Sequence, residues 1–422
     1  MLMPDRRTFL GSALGGLAAL AVGGASLDEA EGADSRARPA LDTLFLTWRR
    51  DPTTTVMVQW IGLAAAEDPR IRFGRADHKG TDGSATARQQ PYPMTDLRVF
   101  RAELTGLSPG TEYRFQVGNQ THAYRFRTMP SKATNTFSFV SGGDCDVNKH
   151  AVANNILAAR QDPMFALIGG DLGYDDGKKV DKSLAFVRNY SRHVIDSEGR
   201  LIPMVVCIGN HEVNGGYGKR RADAPFFFAL HDGLFAERSF AALDFGDYLS
   251  LVLLDTGHVA PINGEQADWL DRSLAVRADR PHVIAVNHVP AYPSHRKFDE
   301  DDEKEETGAR NRKHWVPLFE RHNVNVVLEH HDHTFKRTHP LKGGLVNANG
   351  VLYLGDGSWG KLRAPEPPAK RPYLAASSKS YHVTLHRLEG DTCFHLALEE
   401  GGRVVDICAT RKRPRRVAGR GG

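Results

Sequence analysis

Phe165-Ala166-Leu167-Ile168-Gly169-Gly170-Asp171-Leu172-Gly173-Tyr174 is the stretch on which the fold turns. Four apolar residues with no polar alternation read as a strand covered on both faces, the kind found in parallel sheets. The strand breaks into two glycines, a carboxylate and, three residues on, a phenol. Working outward, the same pattern recurs four times. Residues 137–141 lead to Gly142-Gly143-Asp144, and residues 204–208 to Gly209-Asn210-His211-Glu212. Residues 283–286 lead to Asn287-His288, and residues 324–328 to Glu329-His330-His331-Asp332-His333. Helical patterns at 151–159, 184–195, 265–276 and 315–322, with further strands at 249–254 and 352–354, complete an alternation of strands and helices. This predicts an α/β layered architecture in which polar side chains gather at the carboxyl ends of the strands.

Residues 43–128 read differently: short apolar strands alternate with turn signals and no helical period appears. An all-β sandwich is expected there, with Trp60 on a strand and Leu104-Thr105-Gly106-Leu107-Ser108-Pro109-Gly110-Thr111-Glu112-Tyr113 resembling a fibronectin type III turn, the Tyr113 hydroxyl donating back to it. Neither aromatic needs a ligand to explain it. The expected organisation is a signal at 1–27, a linker at 28–42, the sandwich at 43–130, the α/β domain at 135–410 and a basic disordered tail at 411–422.

The N-terminus carries Asp5-Arg6-Arg7-Thr8-Phe9-Leu10 ahead of a Gly/Ala/Leu/Val stretch, which resembles a twin-arginine export signal. Gly15, Gly16, Gly23 and Gly24 interrupt that stretch, which argues against a membrane anchor. The expected partner is the twin-arginine export machinery, the expected location periplasmic or extracellular, with no membrane attachment after signal removal. The net charge of +4 is smaller than the six positive charges of Arg411, Lys412, Arg413, Arg415, Arg416 and Arg420, so the body without them carries +4 − 6 = −2. Binding of nucleic acid by the folded body is therefore not implied. Residues 299–306, seven carboxylates around Lys304, read as a solvated acidic loop. Four cysteines are too few for a disulfide scaffold. Cys207 reads as a core residue, and a hairpin around Glu399-Glu400-Gly401-Gly402 sets Cys393 opposite Cys408, which allows a disulfide.

Carboxylates, imidazoles, an amide oxygen and a phenol are together the ligand types of hard to borderline cations, and their number suits a pair of them. Glycines ahead of Asp144, Asp171 and Asn210 are expected to let the backbone turn sharply there. Taken in order, GD, GDxxY, GNHE, a strand-end histidine and HxH resemble the calcineurin-like metallophosphoesterases, and the tyrosine in the second motif resembles the purple acid phosphatases. The resemblance continues through His331-Asp332-His333-Thr334-Phe335-Lys336-Arg337 and the glycine-rich residues 351–360, and the sandwich matches the front domain of that family.

The resemblance implies one metal held by Asp144, Asp171, Tyr174 and His333, and a second held by Asp171, Asn210, His288 and His331, with Asp171 bridging. It implies Fe(III) plus a divalent ion (Fe, Zn or Mn), and an acid phosphatase that hydrolyses phosphomonoesters, its small phosphate-ester substrates, by in-line attack of a metal-bound hydroxide. His211 matches the imidazole near the substrate phosphate, with Glu212 expected to orient it, and His295 is a further candidate for protonating the leaving group. Two departures stand out: His330 occupies the family's usual glycine position, and Cys145 follows a ligand directly. Strand alternation would turn Cys145 away from the metals, as a buried bystander. The rival readings are a phosphodiesterase or nucleotidase on the same site, and a non-catalytic adhesion or sensing module; retained ligand chemistry at every motif weighs against the latter.

Overall fold

A computed structural model of the chain describes residues 41–64, 68–133, 137–298 and 306–413. The twin-arginine segment, the linker before Leu41, the acidic loop up to Glu305 and the tail beyond Arg413 lie outside the described residues.

The N-terminal part is all-β. Strands Phe45–Thr47, Val56–Leu63, Leu97–Leu104 and Arg88–Pro91 form one antiparallel sheet in that order, and Gly83–Thr86, Arg70–Arg75, Glu112–Val117 and Tyr124–Arg127 form another. Alternate residues point inward: Trp60 is fully buried and stacks on Phe100, ring centroids 5.0 Å apart. Leu41, expected in the linker, is buried in this core, and its N–H donates to the Tyr124 hydroxyl at 3.1 Å. The Tyr113 corner forms with the opposite polarity to the one expected: its hydroxyl accepts from the Ser108 N–H at 2.8 Å. That direction satisfies a turn N–H which has no strand partner.

Two larger sheets follow. The first runs Met204–Val206, Ala166–Ile168, Phe137–Gly142, His382–Glu389, Thr392–Glu399, Val404–Arg411; its first three strands are parallel, linked through helices Lys149–Ala159 and Val180–His193, and the rest antiparallel. The second runs Ala241–Phe245, Leu249–Leu253, His282–Asn287, Val326–Glu329, Leu352–Asp356, Phe335–Thr338, Leu374–Ser378, with its central four strands parallel. Alternation divides the second sheet. Leu251, Leu253, Ile284, Val286, Val326 and Leu328 join a core with Phe139, Val140, Ile168 and Val206 of the first sheet. Val252, Val283, Ala285, Val327 and Tyr353 face the other way, onto Leu270, Leu274, Trp315 and Phe319 of the covering helices. Both faces are thus dry, which is why these strands read as unbroken apolar runs.

The helix expected at 315–322 is found as Val316–Arg321, with Pro317 in its opening turn, and an unexpected helix, Thr307–His314, precedes it with Trp315 between the two. Polar residues such as Arg310, Arg312 and Lys313 conceal the first from an apolar-period reading. The hairpin of Thr392–Glu399 and Val404–Arg411 forms, but its register sets Cys393 against Thr410 and His395 against Cys408, and all four cysteines are free. A two-residue offset, with a bulge at Ala397/Leu398, separates the pair the loop length had suggested. The basic stretch does not begin as disordered tail either. Arg411 ends the last strand, Lys412 pairs with Asp391 at 2.6 Å, and buried Arg413 donates to the Arg277 carbonyl at 2.9 Å.

Candidate metal centre

Every motif picked out at a strand end arrives at one place, because the parallel strands of the two facing sheets end on the same side. Their loops are tied to one another by a continued ladder. Gly169 N–H donates to Gly142 O at 2.7 Å, Asp144 N–H to Gly170 O at 3.1 Å, and His330 N–H to His288 O at 2.9 Å. These bonds hold an unusual backbone. Asp144 (φ 56°), Asp171 (54°), Tyr174 (58°), His331 (68°) and His333 (59°) all lie in the left-handed region, which costs about 1–3 kcal/mol for each non-glycine residue. The turning is thus done largely by the polar residues themselves.

Of the glycines ahead of the ligands, Gly170 (φ 92°) makes the expected turn, while Gly143 and Gly209 act by making room. A Cβ on Gly209 would strike the Asp171 carboxylate, and one on Gly170 would come within 2.8 Å of His288 Nδ1. His330, the bulky residue at the family's glycine position, is accommodated in the same manner: its ring lies where a side chain at Gly143 or Gly169 would be. It is buried and its Nδ1 lies 3.0 Å from Asn287 O.

Two groups of donors emerge. In the first, His333 Nε2 is 3.0 Å from Asp144 Oδ1 and 3.1 Å from the Tyr174 hydroxyl, which is 3.2 Å from Asp144 Oδ1. In the second, His288 Nε2 is 3.2 Å from Asp171 Oδ2, 3.1 Å from Asn210 Oδ1 and 3.1 Å from His331 Nδ1. Because His288 Nδ1 is 2.9 Å from Gly169 O, which can only accept, Nδ1 carries a proton and Nε2 is the nitrogen that can exchange its own proton for a cation. An imidazole nitrogen, a carboxylate oxygen and an amide oxygen therefore face one another at a largely buried point. Asp171 Oδ2 is fully buried and accepts no hydrogen bond, and ligand atoms of Asp144, Asp171, His288 and His331 lie within 4.8 Å of one another.

The electrostatics agree with this chemistry. Burial disfavours a charged imidazole at His288, yet the Asp171 carboxylate outweighs it and raises its pKa to about 9. Burial, with His288 and Arg296 nearby, holds His331 well below the ordinary histidine value, so it is neutral. Burial and the Asp144 carboxylate push the Tyr174 phenol up. Such a site demands positive charge, and cations bound there would displace protons from it. The donor set fits a pair of them.

His211 lies beside this cluster and is more open, its side chain 37% exposed, with Nε2 4.0 Å from Asp171 Oδ2. Its orienting partner is Asp176, whose Oδ1 is 2.5 Å from Nδ1, and not Glu212. The Glu212 carboxylate is turned inward, where it accepts from the N–H groups of Asp171 (2.8 Å), Leu172 (2.7 Å) and Gly209 (2.8 Å). It splices the second and third loops together, because three backbone donors bind a carboxylate better than one imidazole does. His295 is not brought into the cluster: it is exposed, with Nδ1 2.8 Å from Ala364 O. Cys145 is buried among apolar residues and stands apart from the donor group. Its turn comes from the left-handed Asp144 rather than from strand alternation, the strand having ended at Gly142.

Sequence reasoning missed Asp176, Arg296 and Tyr217. The Arg296 guanidinium donates to His331 O at 3.2 Å, and the Tyr217 hydroxyl is 3.4 Å from His331 Nε2. Only Tyr217 left a trace in sequence, as an isolated aromatic in Gly215-Gly216-Tyr217-Gly218.

The strand-end cluster on facing α/β sheets defines a metallophosphoesterase fold. Comparison with known proteins agrees: residues 41–140 match the model described as purple acid phosphatase, N-terminal domain, and residues 136–335 the model of calcineurin-like phosphoesterase. The chain belongs to the purple acid phosphatase family, with a calcineurin-like domain behind the sandwich. Among curated relatives, it is 27% identical over 351 residues to an uncharacterized Mycobacterium tuberculosis protein, covering 73% of this chain and 64% of that relative's length. It is 24% identical over 341 residues to human acid phosphatase type 7, covering 74% and 76%. Among solved structures, a purple acid phosphatase from yellow lupin (Lupinus luteus) seeds superposes with TM-score 0.70 at 16% identity, covering 87% of this chain and 73% of that one. A structure of PhoD superposes with TM-score 0.63 at 12% identity, covering 89% and 92%. These likenesses show a shared fold.

Proposed function

We propose that this chain is an exported acid phosphatase that hydrolyses phosphomonoesters at a two-metal centre. The observation that carries this reading is the convergence of His288 Nε2, Asp171 Oδ2 and Asn210 Oδ1, an anionic, largely buried donor group that favours positive charge and in which a cation can take the place of the proton on His288. Asp144, Asp171, Tyr174 and His333 would hold one ion and Asp171, Asn210, His288 and His331 the other. When bound, the pair would supply water activation and charge neutralisation for an in-line displacement at phosphorus. The protein's part is to fix those donors and to present His211, backed by Asp176, toward a phosphate at the open side. His211 then binds a phosphoryl oxygen or gives a proton to the leaving alkoxide.

Turnover of an aryl monophosphate against its bis-aryl diester tests the substrate class. Monoester preference is expected; a clear diester preference would make the chain a phosphodiesterase on the same residues. The metals are proposed as Fe(III) with Fe, Zn or Mn in the divalent form. A buried phenol whose pKa is pushed up ionises only against a strongly charged ion, and ferric iron is the hard Lewis acid suited to it. Oxidised, iron-loaded protein should be coloured by phenolate-to-iron charge transfer, and Tyr174→Phe should bleach it while the fold survives. An unchanged visible spectrum in that variant would remove Tyr174 from the ligand set.

Export is proposed to run through the twin-arginine pathway, to a periplasmic or extracellular location; no helix among the described residues is long and apolar enough to cross a membrane. Replacing Arg6 and Arg7 by lysine should leave folded, active protein in the cytoplasm, whereas normal export would indicate a different route.

A further inference from the structure

A second cluster of ligand-type side chains lies in the core of the first sheet, on strands the phosphoesterase reading does not use. His386 and His395 face each other across neighbouring strands, and Cys393 precedes His395 by two residues, on the same face. All three are buried, and one ligand atom of each lies within 4.8 Å of the other two. The two Nδ1 atoms are 2.7 Å apart, and Cys393 Sγ is 4.0 Å from His395 Nδ1. The outer nitrogens are engaged elsewhere: His386 Nε2 lies 2.7 Å from Ser141 Oγ, and His395 Nε2 3.0 Å from Thr410 Oγ1. Imidazoles that ligate a metal through one nitrogen while hydrogen-bonding a fixed partner through the other show this arrangement. The His386 ring is further clamped by stacking on Phe139, centroids 4.5 Å apart.

We propose that His386, Cys393 and His395 form a closed site for one thiophilic d10 ion, Cu+ or Zn2+, that ties together the C-terminal strands of the first sheet. Thiolate and imidazole donors select such ions over the hard cations suited to the strand-end centre. Of the two, Cu+ is expected to be held in preference: with one thiolate it leaves no net charge in an apolar core, whereas Zn2+ leaves a positive charge uncompensated. His395 is suited to ligation, since burial and the neighbouring His386 and His282 keep it neutral. Burial raises the Cys393 thiol, so the ion must displace its proton on binding. The competing arrangement is a metal-free chain in which Thr410, His395, His386 and Ser141 pass hydrogen bonds in series. It satisfies the nitrogens and leaves Cys393 only a long hydrogen bond, from Sγ to Phe394 O at 3.9 Å.

The test uses the full chain expressed in medium supplemented with copper or with zinc, and the metal is counted after desalting. The Asp171→Ala background weakens the strand-end centre and keeps the two sites distinguishable. About one thiophilic ion per chain should remain in Asp171→Ala and be lost when Cys393→Ser is added. Copper retained in excess over zinc supports the charge argument, and the reverse overturns that preference alone. With Co2+ as the probe, a near-ultraviolet thiolate-to-metal band should appear in protein with the cluster intact and vanish in Cys393→Ser. No thiolate belongs to the strand-end ligand set, so this band reports the second site whatever becomes of the phosphatase reading. Folded Asp171→Ala protein that retains no copper or zinc and shows no such band would leave the hydrogen-bonded chain as the whole explanation, even if Cys393→Ser itself failed to fold.

Discussion

Asp171→Ala is expected to lose phosphoesterase activity entirely and to lose metal from both positions, whereas Asn210→Ala should deplete mainly one. The asymmetry follows from the carboxylate's two oxygens. Oδ1 accepts from the His211 N–H at 2.8 Å, and Oδ2 faces His288 Nε2 at 3.2 Å with no hydrogen bond of its own. Asp171 also supplies the field that favours positive charge at His288, so its removal leaves a buried, desolvated set of lone pairs with little to attract a cation. Asn210 contributes a neutral amide oxygen, 3.1 Å from His288 Nε2, and supplies no such field. Metal content by mass spectrometry, beside turnover of an aryl phosphate, reads both effects. Equal loss of both metals in the two variants would contradict the bridging role.

His211→Ala should keep its metals and lose about 10²–10⁴-fold in kcat, the contribution of a positioned acid, base or phosphate-binding group. The side chain is partly exposed, so its removal opens no core cavity and should spare the fold. Asp176→Ala removes the hydrogen bond that orients the ring, 2.5 Å from Nδ1, together with a largely exposed ion pair to Lys179, and should cost about 10–100-fold. His295→Ala should cost least, its ring being held at Ala364 O outside the cluster. If His295→Ala collapses while His211→Ala stays near wild type, the two roles are reversed. Glu212→Gln separates a third role. It weakens the acceptor that joins the Asp171, Leu172 and Gly209 amides, so thermal stability should fall along with activity.

Much of the centre could be read locally. Each ligand motif sits immediately beyond an apolar run, and a run buried on both faces leaves its strand end as the first place where a carboxylate or imidazole can emerge. The fit of His330 between Gly143 and Gly169 could not be read in that way, since the three residues come from different loops. Nor could the inward turn of Glu212, where the neighbouring His211 had seemed the natural partner.

By itself, then, the sequence determined the residue types, their order and their attachment to strand ends, because those depend on short-range apolar patterning and on ligand chemistry carried by single side chains. Only the tertiary structure decided which donors face one another, that Asp144, Asp171, Tyr174, His331 and His333 take left-handed backbone, and that Asp176 rather than Glu212 steadies His211. It also decided that His382–Glu389 returns to pair with Phe137–Gly142, bringing His386, Cys393 and His395 into the core. The physical reason is range: pairing and side-chain direction arise from contacts between segments far apart in the chain, and left-handed backbone persists only where such contacts outweigh its local cost.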